Sequence, residues 1–132
     1  MERILLSLQT IAAVGGAAAS YLLGGIDNLI IFLLCLTGID IVTGLLQAIA
    51  NHELNSEITL KGLIRKAGIY VIIAVCNLAD QSLGTNILRD AAISFYIVME
   101  LVSITENWGK IGLPLPQKLK DILAQLQEEK VK

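Results

Sequence analysis

Three carboxylic acids stand inside long apolar runs of this chain, and each shares a helical face with other polar groups. Thr37, Asp40, Gly44, Gln47 and Asn51 recur at three- and four-residue steps, the spacing that lines one face of an α-helix. Asn77, Asp80, Gln81 and Gly84 share a second such face, and Tyr96, Glu100, Ser103 and Asn107 a third. Acids placed this way can hold a proton, meet a cation, or bind another helix through hydrogen bonds. Catalysis is not among their expected roles. The sequence offers no nucleophile beside a base, no metal-ligand spacing and no phosphate-binding loop, so neither catalytic residue, metal nor cofactor is expected. Cys35 and Cys76 lie far apart, with no CxxC spacing and no neighbouring histidine, and read as small buried hydrophobes. His52, the single histidine, reads as a solvated loop residue.

The elements that carry these faces follow from composition. Of 132 residues, 55% are hydrophobic and only 5% aromatic, and the mean hydropathy is +0.69. That surplus of Leu, Ile, Val and Ala exceeds what a soluble domain of this size carries, which points to an all-α integral membrane protein. At ~1.5 Å per residue, about 20 helical residues cross a ~30 Å hydrocarbon core. Four transmembrane spans are expected, at about 4–23, 29–50, 67–83 and 91–107, with three as the alternative because the last two runs are short. Together they form a transmembrane domain, 1–108. Residues 109–132 follow as a linker, stopped by Pro114 and Pro116, and an amphipathic helical tail. That tail is expected to rest on the membrane surface or pair with a partner helix. The polar stretch 51–66 is expected to be interfacial or aqueous. A secretory-signal reading of the first run, with Ala17, Ala18 and Ala19 as the cleavage site, is disfavoured because only Arg3 supplies a positive charge in front of it.

Orientation follows Lys and Arg rather than net charge. Four spans put Arg3, Lys61, Arg65, Lys66, Lys110, Lys118, Lys120, Lys130 and Lys132 on one side and leave Arg89 alone on the other. Both termini are therefore expected in the cytoplasm. No compact basic patch exists, so nucleic acid is not an expected partner.

Within the first span, Ala12, Gly16, Ser20 and Gly24 fall at four-residue steps, a face on which helix backbones can approach closely. Gly44 offers a further small position in the second span. Such a face serves packing against the second span and contact between protomers equally well. An acid facing lipid near mid-membrane costs about 2.5 to 3.5 kcal/mol on insertion scales, so Asp40, Asp80 and Glu100 must face protein or water. A compact hydrogen-bonded bundle and an oligomer with apposed polar faces are level on this geometry. A small proton-coupled multidrug-type transporter stands behind them, because its acids would be focused in one site and here they are spread over three helices.

A longer series of residues resembles a known family. Asp40 with Thr43-Gly44, then Ser56, Gly62-Leu63 and Lys66, then Asp80 and Arg89, begin it. Phe95-Tyr96, Glu100, Ser103-Ile104, Glu106-Asn107, Gly112, Pro114 and Pro116 complete it. In order and spacing, from about residue 28 to 120, the chain resembles the phage-lysis and toxin-secretion holins, clostridial toxin-secretion holins among them. The resemblance implies a homo-oligomer in the bacterial cytoplasmic membrane that opens lesions at a set time, so that an endolysin or a toxin crosses the lipid bilayer. Asp40, Asp80, Glu100, Glu106 and Asn107 are the positions expected to serve assembly or opening.

Overall fold

The structure, a computed structural model, describes residues 1–131; Lys132, counted above with the basic residues of the tail, lies outside them. Five helices follow one another: α1 (Glu2–Leu23), α2 (Asn28–Ala50), α3 (Ser56–Leu83), α4 (Ile87–Lys110) and α5 (Gln117–Val131). There is no strand among the described residues. α1, α2 and α3 are long and apolar enough to cross a membrane. α4, at 24 residues, has the length but not the composition.

Turn chemistry sets the boundaries. Gly24 ends α1 in the left-handed region, φ +78°, a conformation that glycine adopts without steric cost. Asp27 then caps α2 by accepting the N–H of Ile30 at 3.0 Å, satisfying one of the donors a helix leaves free at its start. α3 begins at Ser56, eleven residues ahead of the expected third span. Asn55 caps it by accepting the N–H groups of Glu57 and Ile58, and a Glu57–Lys61 pair one turn apart supports its first turns. Residues 56–66 of the stretch expected to be interfacial or aqueous thus belong to a helix continuous with the third apolar run. α4 likewise starts at Ile87, ahead of the expected 91, for a reason given below.

α4 is the central helix, packed against α2, α3 and α5. Arg89 at its start bonds Asp27 at the start of α2, and Asn51 at the end of α2 reaches the Lys110 carbonyl at the end of α4. α2 and α4 therefore run in the same direction, and α3 runs back. Ile30 and Leu33 of α2, Ile73 of α3 and Ile93 of α4 are fully buried where the three meet. Lipid tails are as apolar as these side chains, so burying them in a bilayer supplies packing but little drive for association. Polar contacts must select the arrangement.

α1 contributes no buried residue and touches the rest of the molecule mainly through α3, with Leu23 at its end also bonded to Arg89 of α4. Gly16 has no atom within 4 Å of where a Cβ would stand. The small-residue face is thus not packed against α2. Cys35 is exposed and Cys76 partly buried, so Cys35 departs from the expected buried site: its helical position points away from the α2–α4 contact. His52 is exposed in the α2–α3 turn, with φ +55°.

Candidate functional site

At the midpoint of the bundle, Lys66 of α3 extends its ammonium between two acids. Its Nζ lies 2.5 Å from Asp40 Oδ2 on α2, and 2.7 and 3.0 Å from the carboxylate oxygens of Glu100 on α4. The side chains are 16%, 7% and 5% exposed respectively, so all three charges are shielded from solvent. Asn107 donates to the other Asp40 oxygen at 2.8 Å and to Thr43 Oγ1 at 3.2 Å. Gly44 lies beside this contact, where a Cβ would stand 3.4 Å from Asn107 Nδ2, an ordinary van der Waals distance. Thr37 and Tyr70 share a hydrogen bond of 2.8 Å one turn away. A cavity of ≈ 300 Å³ adjoins the cluster, lined by Asp40, Gln47, Lys66, Ser103 and Asn107 on its polar side and by Ile41, Leu45, Ile58 and Leu63 on its apolar side.

With every group ionised, two carboxylates and one ammonium leave a formal charge of −1 in a shielded place. Removing ions from water is costly unless they are paired and their remaining lone pairs are bonded. Here that condition is met, since no buried side-chain N or O lacks a partner among the described residues. The arrangement can hold α2, α3 and α4 together in a medium that gives apolar contacts little weight. It can also present charge to water if the helices separate.

A second polar cluster closes the opposite end. Asp80 of α3 accepts the Thr85 hydroxyl at 2.6 Å and the backbone N–H groups of Leu88 and Arg89 at 3.2 and 2.7 Å. It thereby caps α4 from outside and explains the early start of that helix. Arg89 reaches back to α1 and α2: Nε donates to the Leu23 carbonyl at 2.6 Å, Nη2 to the Gly25 carbonyl at 3.3 Å, and Nη1 to Asp27 at 2.8 Å and Asp90 at 3.0 Å. Asn77 donates to the carbonyls of Tyr21 and Leu22. A Cβ on Gly24 would come within 2.7 Å of Arg89 Nε, so this glycine serves the clasp. The Arg89 hydrogen bond holds the Asp27 carboxyl below its ordinary value; burial opposes it, and the Ile30 N–H assists.

The structure therefore sorts the expected positions. Asp40, Glu100 and Asn107 converge on one site with Gly44 beside them; Asp80 and Gly24 belong to the opposite clasp. Glu106 is exposed, in a cleft between α4 and α5 that Lys120 also lines. Ser20 is half-buried and Gly16 open. Lys66 and Arg89, the hubs of the two clusters, were not among the expected sites. One signal pointed to them: a buried acid needs a cation, and each of these basic residues lies within reach of an apolar run. Among the described residues, no group of three or more His, Cys, Asp or Glu could hold a metal ion.

The sequence model of the bacteriophage holin family matches residues 17–128, both clusters included. The chain belongs to the bacteriophage holin family. The family is one of non-enzymatic membrane proteins, and with its three apolar helices this holin-family chain is a multi-pass protein of the cytoplasmic membrane. A probable holin of Bacillus phage phi105 is 34% identical over 113 residues, which cover 85% of this chain and 83% of the phage protein. An uncharacterised protein of Halalkalibacterium halodurans is 39% identical over 95% of this chain and 97% of its own length. One from Listeria innocua is 38% identical over 82% of this chain and 78% of its own. No solved structure matches this holin-family chain.

Proposed function

We propose that the protein is a holin that accumulates in the cytoplasmic membrane, oligomerises, and opens lesions through which an endolysin or a toxin leaves the cell. The observation that carries this reading is the Lys66–Asp40–Glu100 cluster, three shielded charges at the centre of a bundle whose outer surface is apolar. A protein meant only to anchor in lipid gains from that placement nothing that uncharged hydrogen bonds between its helices would not supply, because pairing at best offsets the cost of burying the charges. A protein meant to switch from a dry to a wet interior does.

In this reading α4 crosses the membrane as a fourth span. Its two buried charges are tolerable because Glu100 has a cation and Arg89 is bonded to Asp27 and Asp90, while the exposed Glu106 lies within four residues of the helix end. Both termini then lie in the cytoplasm, with residues 109–132 as a cytoplasmic tail. The exposed Gly16 face of α1 meets another protomer. As protomers gather, the polar faces of α2, α3 and α4 exchange partners inside a bundle for partners between bundles and water. One charge moving across the field feels ~2.3 kcal/mol per 100 mV, so a fall in membrane potential biases a near-balanced assembly and sets the timing.

The cavity beside Asp40 favours a competing reading, proton-coupled transport of a cation. Both acids are occupied by Lys66, which weighs against it. Asp40→Asn and Glu100→Gln variants, expressed at equal levels beside an endolysin, are expected to shift the time of lysis. Unchanged lysis times in both would make the acids structural and refute the switch.

A further inference from the structure

The last helix is seated where a membrane-crossing α4 leaves no room for it. After the six-residue connection 111–116, α5 folds back on α4. Val102, Thr105 and Glu106 of α4 line one cleft with Lys120, Leu123, Ala124 and Gln127 of α5, and Leu123 is 8% exposed. Val102 lies eight residues before the end of α4 at Lys110, about 12 Å along the axis at ~1.5 Å per residue. The seat therefore lies alongside the same half of α4 that carries Ser103 and Asn107 against α2 and α3.

Lys118, Lys120, Asp121, Glu128 and Glu129 are all exposed on the seated helix. If α4 passes through hydrocarbon as far as its end, these charges enter the lipid with only the Gln117 amide on Asp121 to offset them among the described residues, and exposed charges at that depth are strongly disfavoured. Leu119 and Ile122, 42% and 46% exposed, show that the seat also leaves part of the apolar stripe of α5 unused. We infer that α5 is a releasable strap: its seat on α4 and full insertion of α4 exclude one another, and the helix leaves its seat when α4 crosses the membrane. This rests on the four-span reading above. It makes the seated form the state of a chain whose α4 is not fully inserted, and release of α5 the step that frees the Val102–Glu106 face.

The test uses the full chain with Cys35→Ala and Cys76→Ala, carrying Val102→Cys and Ala124→Cys across the cleft, oxidised in membranes of expressing cells. A second version carries Met99→Cys alone, at a position 38% exposed and not under α5, and reports insertion by its reaction with a water-soluble maleimide. The strap predicts that Met99→Cys is shielded from the maleimide while the Val102/Ala124 pair fails to cross-link. A complete cross-link with Met99→Cys still shielded would overturn the strap alone. Ready labelling of Met99→Cys would overturn the four-span reading, and the strap with it.

Discussion

Among the described residues, the ammonium of Lys66 is the one positive charge on the Asp40–Glu100 pair. Taking it away leaves two carboxylates facing each other across a shielded gap, and breaking a buried pair by removing one partner costs about 3–5 kcal/mol. Lys66→Met is expected to unfold at clearly lower temperature than the parent in detergent. Adding Asp40→Asn and Glu100→Gln to it is expected to recover most of the loss, since the uncompensated charges then vanish. Thermal unfolding of the single and triple variants checks this; equal destabilisation in both would mean that packing of the lysine stem, and not charge, holds the helices. The Arg89 clasp gives a second expectation at this scale. Because Asp27 titrates below its ordinary value of 3.8 in the folded protein, its contribution to stability is complete above that pH and is lost as pH falls through the lower folded value. The stability difference between the parent and Asp27→Asn is therefore flat from neutral pH to about pH 5 and narrows below about pH 4. A difference that widens on acidification would contradict the assigned contact.

At the scale of elements, the connections fix which ends lie together. The α1–α2 turn and the start of α4 share Arg89, while the end of α2 and the end of α4 share the Asn51–Lys110 contact. With basic residues counted as orienting charges, the proposed topology places the 51–55 turn in the cytoplasm and the 84–86 turn outside. In a chain lacking Cys35 and Cys76, Asn86→Cys is expected to react with an impermeant maleimide in intact cells, and Glu53→Cys only after permeabilisation. The reverse pattern would invert the protein. The order of the helices was readable from apolar runs interrupted by Gly24-Gly25 and by the polar stretches after residues 50 and 83. The start of α3 was not, because four charges in 57–66 resemble a loop when each is taken as solvated. They fit a helix once Glu57 pairs with Lys61 and Lys66 reaches across to two other helices. Which acids meet was hidden for the same reason: helical spacing assigns a residue to a face, but the partner across that face depends on how three helices pack. Asp80 stood on its expected face and turned out to cap the next helix.

The molecule as a whole combines features that serve a single anchored bundle poorly. Its central helix has the length but not the composition of the three apolar helices, its first helix is uncovered along nearly its whole length, and charges are paired midway along the bundle, shielded from its surroundings. Each becomes intelligible in an assembly that gathers in the membrane and then admits water. Membership of the bacteriophage holin family agrees with that design. The central claim is met most directly by inducing the chain in a bacterium that also makes a cytoplasmic endolysin, and following culture density together with release of the endolysin. The account predicts a lag and then abrupt lysis that requires both proteins. Gradual arrest of growth, with the endolysin retained in the cells, would contradict it.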